Sequence, residues 1–556
     1  MPEAKWLQSY SGVRATIGLG PGVSADDDAF AFRHAYCYAL SRLQANPASH
    51  VRLVLARDPR PTGPSLVGAQ ARGLASACRD LGVHLDLIDL GVVTTPIWQH
   101  SVRLFDAHGG VMVTASHNPI DDNGWKYATG VETFGVEPAP PGALLSAPEM
   151  GNLIRAAGAF SPATTSCEPV GAADETAHTR AVSQYLTFIS NAYHTPAAGA
   201  RVVVDPNGGA ASRVAERAFR ALGVEPIMVN DQEGHPAHEI DVEHAQPDGT
   251  HVLDQLAERV RREQALFGLA YDFDADRGNL TFVDAAGTGR IPSPQEAAAI
   301  NTAIALAVHR RSGDTRPAAI VASDATSCRV HQVAAAFGAE VFEVETGEIH
   351  VVTEMQYLER RGFCAVVGLE GANGGTIFAG TTCRDGTLVG AGALLASADP
   401  ELRDMVARAL GPHDGHMAPG LAGFIDVLPR QRSFSDKRAA PGDWAATVTS
   451  LELEFPKAFA STLAGTWERF EIVYSYGRHV GPDRPLSSGF GWKARVSRPG
   501  AEGFLWIRRS KTEAQVARLV GDGPDDASAR TLVDLGRRLL DTAATARPRS
   551  SVRPVP

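Results

Sequence analysis

The chain has 556 residues, well above the roughly 100–200 of a single domain, so about three to five domains are expected. Hydrophobic residues make up 44% and charged residues 21%, which excludes a largely disordered chain. The net charge of −11 argues against a generally basic nucleic-acid binder. Six cysteines lie scattered without a CxxC pair, so neither a disulfide framework nor a zinc knuckle is suggested. The first residues, Met-Pro-Glu-Ala-Lys-Trp, carry no signal-peptide apolar core, and no window of about 18 apolar residues exists. A cytoplasmic protein with no membrane or nucleic-acid partner is expected.

Along the chain, one local pattern recurs. The apolar run 51–56 leads into the turn Arg57-Asp-Pro-Arg60, a helix-like stretch, Leu81-Gly82-Val83 and a second strand at 84–89. The same order returns at 201–205, Gly223 and 226–229, and again at 318–322, Gly338 and 341–344. Each glycine stands where a helix should end in the left-handed conformation. Val214, Ala218 and Leu222 recur every four residues and share one helical face. Continuous apolar strands alternating with helices predict parallel or mixed sheets. Three copies predict three related α/β domains, over residues 1–172, 173–292 and 293–418.

Beyond about Gly420 the pattern changes to short β-like runs such as 468–473 and 504–507, with a helix near 529–542. This predicts a fourth, α+β domain over 419–545. The proline-rich, basic tail 546–556 reads as disordered.

The first chemical signal is the apolar strand ending in Thr114-Ala-Ser-His-Asn-Pro119, followed by Asn123-Gly-Trp-Lys126. A strand end can project residues into a cleft. Ser116 could be a nucleophile or a phosphate carrier, and Lys126 could supply positive charge or a proton. A serine and an asparagine that merely satisfy a turn are the plainer alternative.

Second is Tyr271-Asp-Phe-Asp-Ala-Asp-Arg-Gly278. Asp272, Asp274 and Asp276 alternate along what reads as an extended segment, so they can converge from one side. Three hard oxygen ligands without a nearby cysteine favour magnesium over zinc. Arg277 adds a guanidinium suited to phosphate.

Further on, Gly368-Leu-Glu-Gly-Ala-Asn-Gly-Gly375 with Arg384-Asp-Gly386 permits close ligand approach but also fits an ordinary turn. Arg508-Arg-Ser-Lys-Thr-Glu513 groups cations with hydroxyls that could hold a phosphate dianion. His235, His238, His244 and His251 match no metal-ligand spacing and read as solvated loop histidines.

In this order the motifs resemble the α-D-phosphohexomutase superfamily, which includes phosphoglucomutases and phosphomannomutases. Ser11-Gly-Val-Arg14 looks like its N-terminal SGxR, and Thr114–Pro119 with Asn123-Gly-x-Lys126 looks like its phosphoserine loop. Asp272–Arg277 is similar to its DGDADR metal loop, with Phe273 at a position that is not a ligand. Thr346-Gly347 resembles its third-domain loop, and Arg508–Glu513 its RxSxTEP phosphate loop. The sugar loop, commonly GExSGH, departs: Glu370 is kept, while Ala372 and Gly374 replace the Ser and His.

The resemblance implies four domains around a central cleft and a phosphosugar mutase acting between the 1- and 6-positions of a hexose phosphate. Ser116 would carry the phosphoryl group, and Asp272, Asp274, Asp276 and the Ser116 phosphate would hold magnesium. Lys126 would act as general acid/base, with Arg14 and His117 supporting the loop. Arg277, Glu370, Arg508, Ser510 and Thr512 would bind substrate, and a catalytic sugar bisphosphate would prime the enzyme. A monomer or dimer is expected. The alternatives are a mutase of a pentose or specialised sugar phosphate, a metal-dependent phosphatase, and a non-catalytic sugar-phosphate-binding homologue.

Overall fold

A computed structural model describes residues 5–45, 49–131, 139–160, 173–193, 199–242, 249–411, 417–485, 489–511, 513 and 515–545. The tail 546–556 and Thr512 therefore lie outside the described residues, as does His244.

Four sheets organise the chain. The first contains β1 (Leu7–Ser9), β2 (Gly12–Thr16), β3 (His50–Arg57), β4 (His84–Val92), β5 (Gly109–Val113) and β6 (Asp122–Thr129), in the order β1-β2-β6-β5-β3-β4. The second contains β7 (Arg201–Asp205), β8 (Glu225–Met228), β9 (Gly268–Tyr271), β10 (Gly278–Val283) and β11 (Gly289–Arg290), ordered β11-β10-β9-β7-β8. The third contains β12 (Ala318–Ser323), β13 (Glu340–Val344), β14 (Cys364–Glu370) and β15 (Gly375–Phe378), ordered β13-β12-β14-β15.

The sequence repeat has a structural meaning. In each sheet the first strand of the repeat (β3, β7 or β12) lies between two parallel neighbours. The outer neighbour is the second strand of the repeat (β4, β8 or β13). The inner neighbour (β5, β9 or β14) turns back into an antiparallel partner (β6, β10 or β15). All three sheets are mixed, as the patterning indicates. Gly82, Gly223 and Gly338, which end the repeated helices, have φ of 67°, 81° and 72°, the region glycine enters without a Cβ penalty.

The strands are buried because their apolar runs are covered by helices. Leu53, Val54 and Leu55 of β3 and Val202, Val203 and Val204 of β7 are at most 1% exposed. Local signals set the helix ends: Ser146 with Glu149, and Ser293 with Glu296, form capping boxes at 147–159 and 294–312.

The fourth sheet is antiparallel throughout. It contains β16 (Arg432–Ala439), β17 (Arg469–Tyr476), β18 (His479–Gly481), β19 (Gly491–Arg498), β20 (Ala501–Arg509) and β21 (Val516–Gly523), ordered β16-β21-β20-β19-β17-β18. Helices 444–458 and 526–545 cover it through Leu451, Phe455, Leu535 and Leu539. The fold is three α/β units with mixed sheets plus an antiparallel α+β unit.

Candidate active site

The shared topology brings three loops together. Ser116 follows β5, Asp272 follows β9, and Glu370 ends β14, so each loop occupies the same place in its own sheet. With residues of β20 and its following loop, they line one cleft that contains Arg14, Ser116, Lys126, Arg277, Glu370 and Arg508.

Ser116 is buried and has a φ of 54°, unusual for a residue with a side chain. Its N–H donates to Thr114 Oγ1 at 2.8 Å, and its Oγ donates to Asp272 Oδ2 at 3.4 Å. His117 also faces the cleft. Burial, followed by the nearby Arg277 and Arg14, holds its imidazole well below its ordinary pKa, in the neutral form.

The acidic loop corrects the extended reading of residues 272–276. The segment is a tight turn between β9 and β10, with Ala275 at φ 61° and its N–H bonded to Asp272 O at 3.0 Å. The carboxylates converge because the chain folds back, and strand alternation plays no part. One oxygen from each of Asp272, Asp274 and Asp276 lies within 4.8 Å of the others, and all three residues are buried.

Cations surround the cluster. Lys126 Nζ donates to Asp274 Oδ2 at 2.7 Å and to Asp276 Oδ2 at 3.1 Å, and Arg277 Nε donates to Asp272 Oδ2 at 3.1 Å. Burial alone would lower the Lys126 ammonium pKa, but Asp274 and Asp276 reverse this and raise it. Burial raises the Asp272 carboxyl well above its ordinary range, and Asp276 and Asp274 push it further. Asp276 goes the other way: burial is outweighed by Arg384 and Lys126, which hold it at about 2. Asp274 Oδ1 and Asp276 Oδ1 remain buried without a hydrogen-bond partner. Arg277 Nε stands 3.6 Å from Asp276 Oδ1, yet hard oxygens left without a hydrogen bond in a repulsive cluster fit a divalent cation, so these residues suit the ion that the sequence motif implies.

At the sugar-loop end, Arg384 joins three carboxylates. It donates to Asp276 Oδ2 at 2.6 Å and to Glu370 Oε2 at 3.0 Å, and its Nε lies 3.1 Å from Glu348 Oε2. Its stem runs across Gly375, where an added Cβ would lie 2.3 Å from Arg384 Cδ. Gly375 thus makes room for a long cation from the next turn.

Arg508 of β20 reaches into domains I and III. It donates to Thr346 O at 2.6 Å, Tyr10 Oη at 2.8 Å and Glu345 Oε1 at 2.8 Å. Lys511 also pairs with Glu345 and lies 4.5 Å from the Tyr10 ring centroid. Burial, then Arg508, lower the Lys511 pKa to about 8, although Glu345 opposes them. Ser510 Oγ accepts from Glu513 N at 3.1 Å and lines the same cleft. Arg14 is buried in the same cleft lining as Lys126, and burial lowers its pKa.

Family models for phosphoglucomutase/phosphomannomutase alpha/beta/alpha domains I, II and III match residues 7–133, 183–287 and 299–409. The chain belongs to the phosphoglucomutase/phosphomannomutase family. Members of this family are phosphomutases, a class of isomerase. The chain is 30% identical over 355 residues to phosphoglucosamine mutase of Corynebacterium jeikeium, an alignment covering 61% of this chain and 67% of the relative. It is 32% identical over 327 residues to phosphoglucosamine mutase of Rhodococcus jostii, covering 56% and 64%. Among solved structures, a phosphoglucomutase/phosphomannomutase family protein from Burkholderia thailandensis shares the fold with a TM-score of 0.65, at 22% identity over 97% of this chain and 98% of that one. Parafusin from Paramecium shares it at 0.61, with 16% identity and 98% coverage of both chains.

Of the residues that the sequence motifs single out, Arg14, Ser116, His117, Lys126, Arg277, Glu370, Arg508 and Ser510 line the cleft. Asp272, Asp274 and Asp276 are buried against its lining residues Lys126 and Arg277, and His235, His238 and His251 are not part of the lining. Arg384 and Glu348 line the cleft without having been singled out for chemistry; Glu345 pairs with its lining residues Arg508 and Lys511, and the buried pair Asp58 and Arg60 lies outside the lining, beneath the Ser116 loop. Arg384-Asp-Gly386 reads in sequence as a turn, and the spacing of two glutamates near Thr346-Gly347 carries no known motif. The partners are 163 residues apart in the Glu345–Arg508 pair and 108 apart in the Arg384–Asp276 pair, so local pattern could not expose them.

Proposed function

We propose that this protein is a phosphosugar mutase that moves a phosphoryl group between the 1- and 6-positions of a hexose phosphate, with Ser116 as the intermediate carrier. The observation that carries the reading is one cleft lined by Ser116, whose Oγ stands 3.4 Å from Asp272 Oδ2, and by the cations Arg508 and Lys511. A mutase needs both. One transfers phosphate while the other holds the non-reacting phosphate and fixes the sugar's orientation.

In this reading phospho-Ser116 gives its phosphoryl group to a sugar phosphate, and the resulting bisphosphate turns around and returns the other phosphate to Ser116. Lys126, held as an ammonium by Asp274 and Asp276, is the general acid/base: it gives a proton to the leaving oxygen, and the amine so formed takes back the proton that the attacking hydroxyl releases. Arg508, Ser510 and Lys511 take the distal phosphate, and Glu370, oriented by Arg384, accepts hydrogen bonds from two sugar hydroxyls. Arg14 and His117 flank the serine, and Arg277 holds Asp272. Magnesium, bound by Asp272, Asp274, Asp276 and the Ser116 phosphate, would supply charge neutralisation for the transferring oxygens.

The curated relatives described above are named for phosphoglucosamine, so an amino sugar phosphate belongs in the substrate panel beside glucose and mannose phosphates. The test is a ³¹P NMR assay of each sugar 1-phosphate with magnesium and a sugar bisphosphate primer. An isomeric 6-phosphate is expected. Release of inorganic phosphate without isomer would instead identify a phosphatase.

A further inference from the structure

The Ser116 loop is fastened from beneath by a side chain that lies outside the cleft lining. Arg60 follows β3 and is 0% exposed. A guanidinium carries five N–H donors in one plane, and here each has an acceptor. Nε donates to Asp58 Oδ2 at 3.1 Å. Nη2 donates to the carbonyls of Ser116 at 2.8 Å and Asn118 at 2.7 Å. Nη1 donates to the carbonyl of Asp122 at 2.8 Å and to that of Pro119. Asp58 closes the frame by accepting from Thr114 Oγ1 at 2.6 Å, the hydroxyl that in turn accepts from the Ser116 N–H.

This bracing matches a need. Ser116 sits in the left-handed region at φ 54°, which strains a residue with a side chain and persists only where surroundings enforce it. Carbonyls at 116, 118, 119 and 122 are all held by one rigid fork, so the loop cannot relax one residue at a time.

The same guanidinium also faces the second domain. Its carbon lies 5.1 Å from the centroid of the Phe273 ring, which is fully buried between Asp272 and Asp274. We propose that Arg60 is a positioning residue that sets Ser116 against the acidic loop, and that Phe273 is the contact through which the two loops keep register. The proposal rests on the reading of Ser116 as phosphoryl carrier. A buried arginine that only stabilised domain I would have no reason to spend four donors on one loop while stacking on the neighbouring domain's acidic turn.

Lysine in place of Arg60 keeps the charge but offers three donors from a single nitrogen, which cannot serve carbonyls spread along a plane. Leucine in place of Phe273 keeps an apolar side chain there and removes the ring. The experiment follows phosphorylation of Ser116 by glucose 1,6-bisphosphate and amide hydrogen exchange of residues 114–123 in full-length wild type, Arg60→Lys, Phe273→Leu and the double variant. Arg60→Lys should slow phosphorylation about 100-fold, the cost of a small misplacement of the nucleophile, and should raise exchange in that loop. Phe273→Leu should slow it about 10-fold, and the double variant should be no slower than Arg60→Lys, because both act through one contact.

Rates within about two-fold of wild type with unchanged loop exchange, or losses that simply add, would overturn the proposal. If Arg60→Lys does not fold, Phe273→Leu decides alone: raised exchange at 114–123 supports the proposal and wild-type exchange refutes it. If wild type takes up no phosphate, the carrier reading fails, while loop exchange still reports on positioning.

Discussion

Arg384 and Glu370 are joined by a 3.0 Å hydrogen bond although their backbones belong to different turns, and the same guanidinium reaches Asp276 at 2.6 Å. One cation therefore links the sugar-loop carboxylate to the acidic loop. Its stem lies over Gly375, where a side chain would collide.

Arg384→Ala should leave Glu370, Glu348 and Asp276 without their shared partner. Losing one member of a buried charge group costs about 3–5 kcal/mol, and the 12% exposure of Arg384 places the expected loss near the lower end. Thermal unfolding should show a marked fall, and kcat/KM should drop for every sugar phosphate. Unchanged melting with intact turnover would show that the arginine is incidental.

The acidic loop gives a prediction with opposite signs. Burial and the neighbouring Asp276 and Asp274 make ionised Asp272 costly in the metal-free protein. Asp272→Asn should therefore raise the melting temperature in chelator and abolish the further rise that magnesium gives wild type by mass action. Differential scanning fluorimetry with and without magnesium tests both halves. A magnesium-induced rise that survives in the variant would remove Asp272 from the site.

Lys511 sets a pH dependence. Its pKa of about 8 means that the free enzyme loses this cation as pH rises through 8, while a phosphate dianion persists. The protonated form binds phosphate, so kcat/KM should be highest below 8 and fall above it. Lys511→Arg keeps the charge and should carry the plateau to higher pH. A fall at the same pH in both proteins would assign it to another group.

Specificity should divide between the two ends of the cleft. In the proposed mutase Arg508 would hold the distal phosphate, so Arg508→Ala should lower kcat/KM for all substrates by a similar factor. In the same reading Glu370 would face sugar hydroxyls, so Glu370→Gln should change the ratio between glucose, mannose and glucosamine phosphates. With Ala372 and Gly374 contributing no polar side chain, wild type should discriminate between glucose and mannose phosphates weakly. A strong single preference for one of them would contradict that expectation.

Much of this was legible in the sequence because it is local. The three strand–helix–strand copies are patterns of apolar period and helix-ending glycine, and they become the three mixed sheets. Ser116, Asp272 and Glu370 could each be picked out from a short motif. Their shared position after equivalent strands was not legible, since it depends on which strand pairs with which. The acidic turn was misread as extended because alternating Asp residues fit a strand as well as a hairpin turn; Ala275 in the left-handed region decides it, and alanine gives no such signal. Glu345, Glu348, Arg384 and Arg60 act through partners supplied by distant loops or by backbone carbonyls, which no spacing rule reaches.

The central claim is that Ser116 carries the phosphoryl group, and peptide mapping by mass spectrometry after incubation with glucose 1,6-bisphosphate and magnesium tests it most directly. The account predicts a phosphate on Ser116 in wild type, none in Ser116→Ala, and mutase turnover in that variant reduced by orders of magnitude with its fold intact. Near-normal turnover in Ser116→Ala, or phosphate found only elsewhere on the chain, would contradict it.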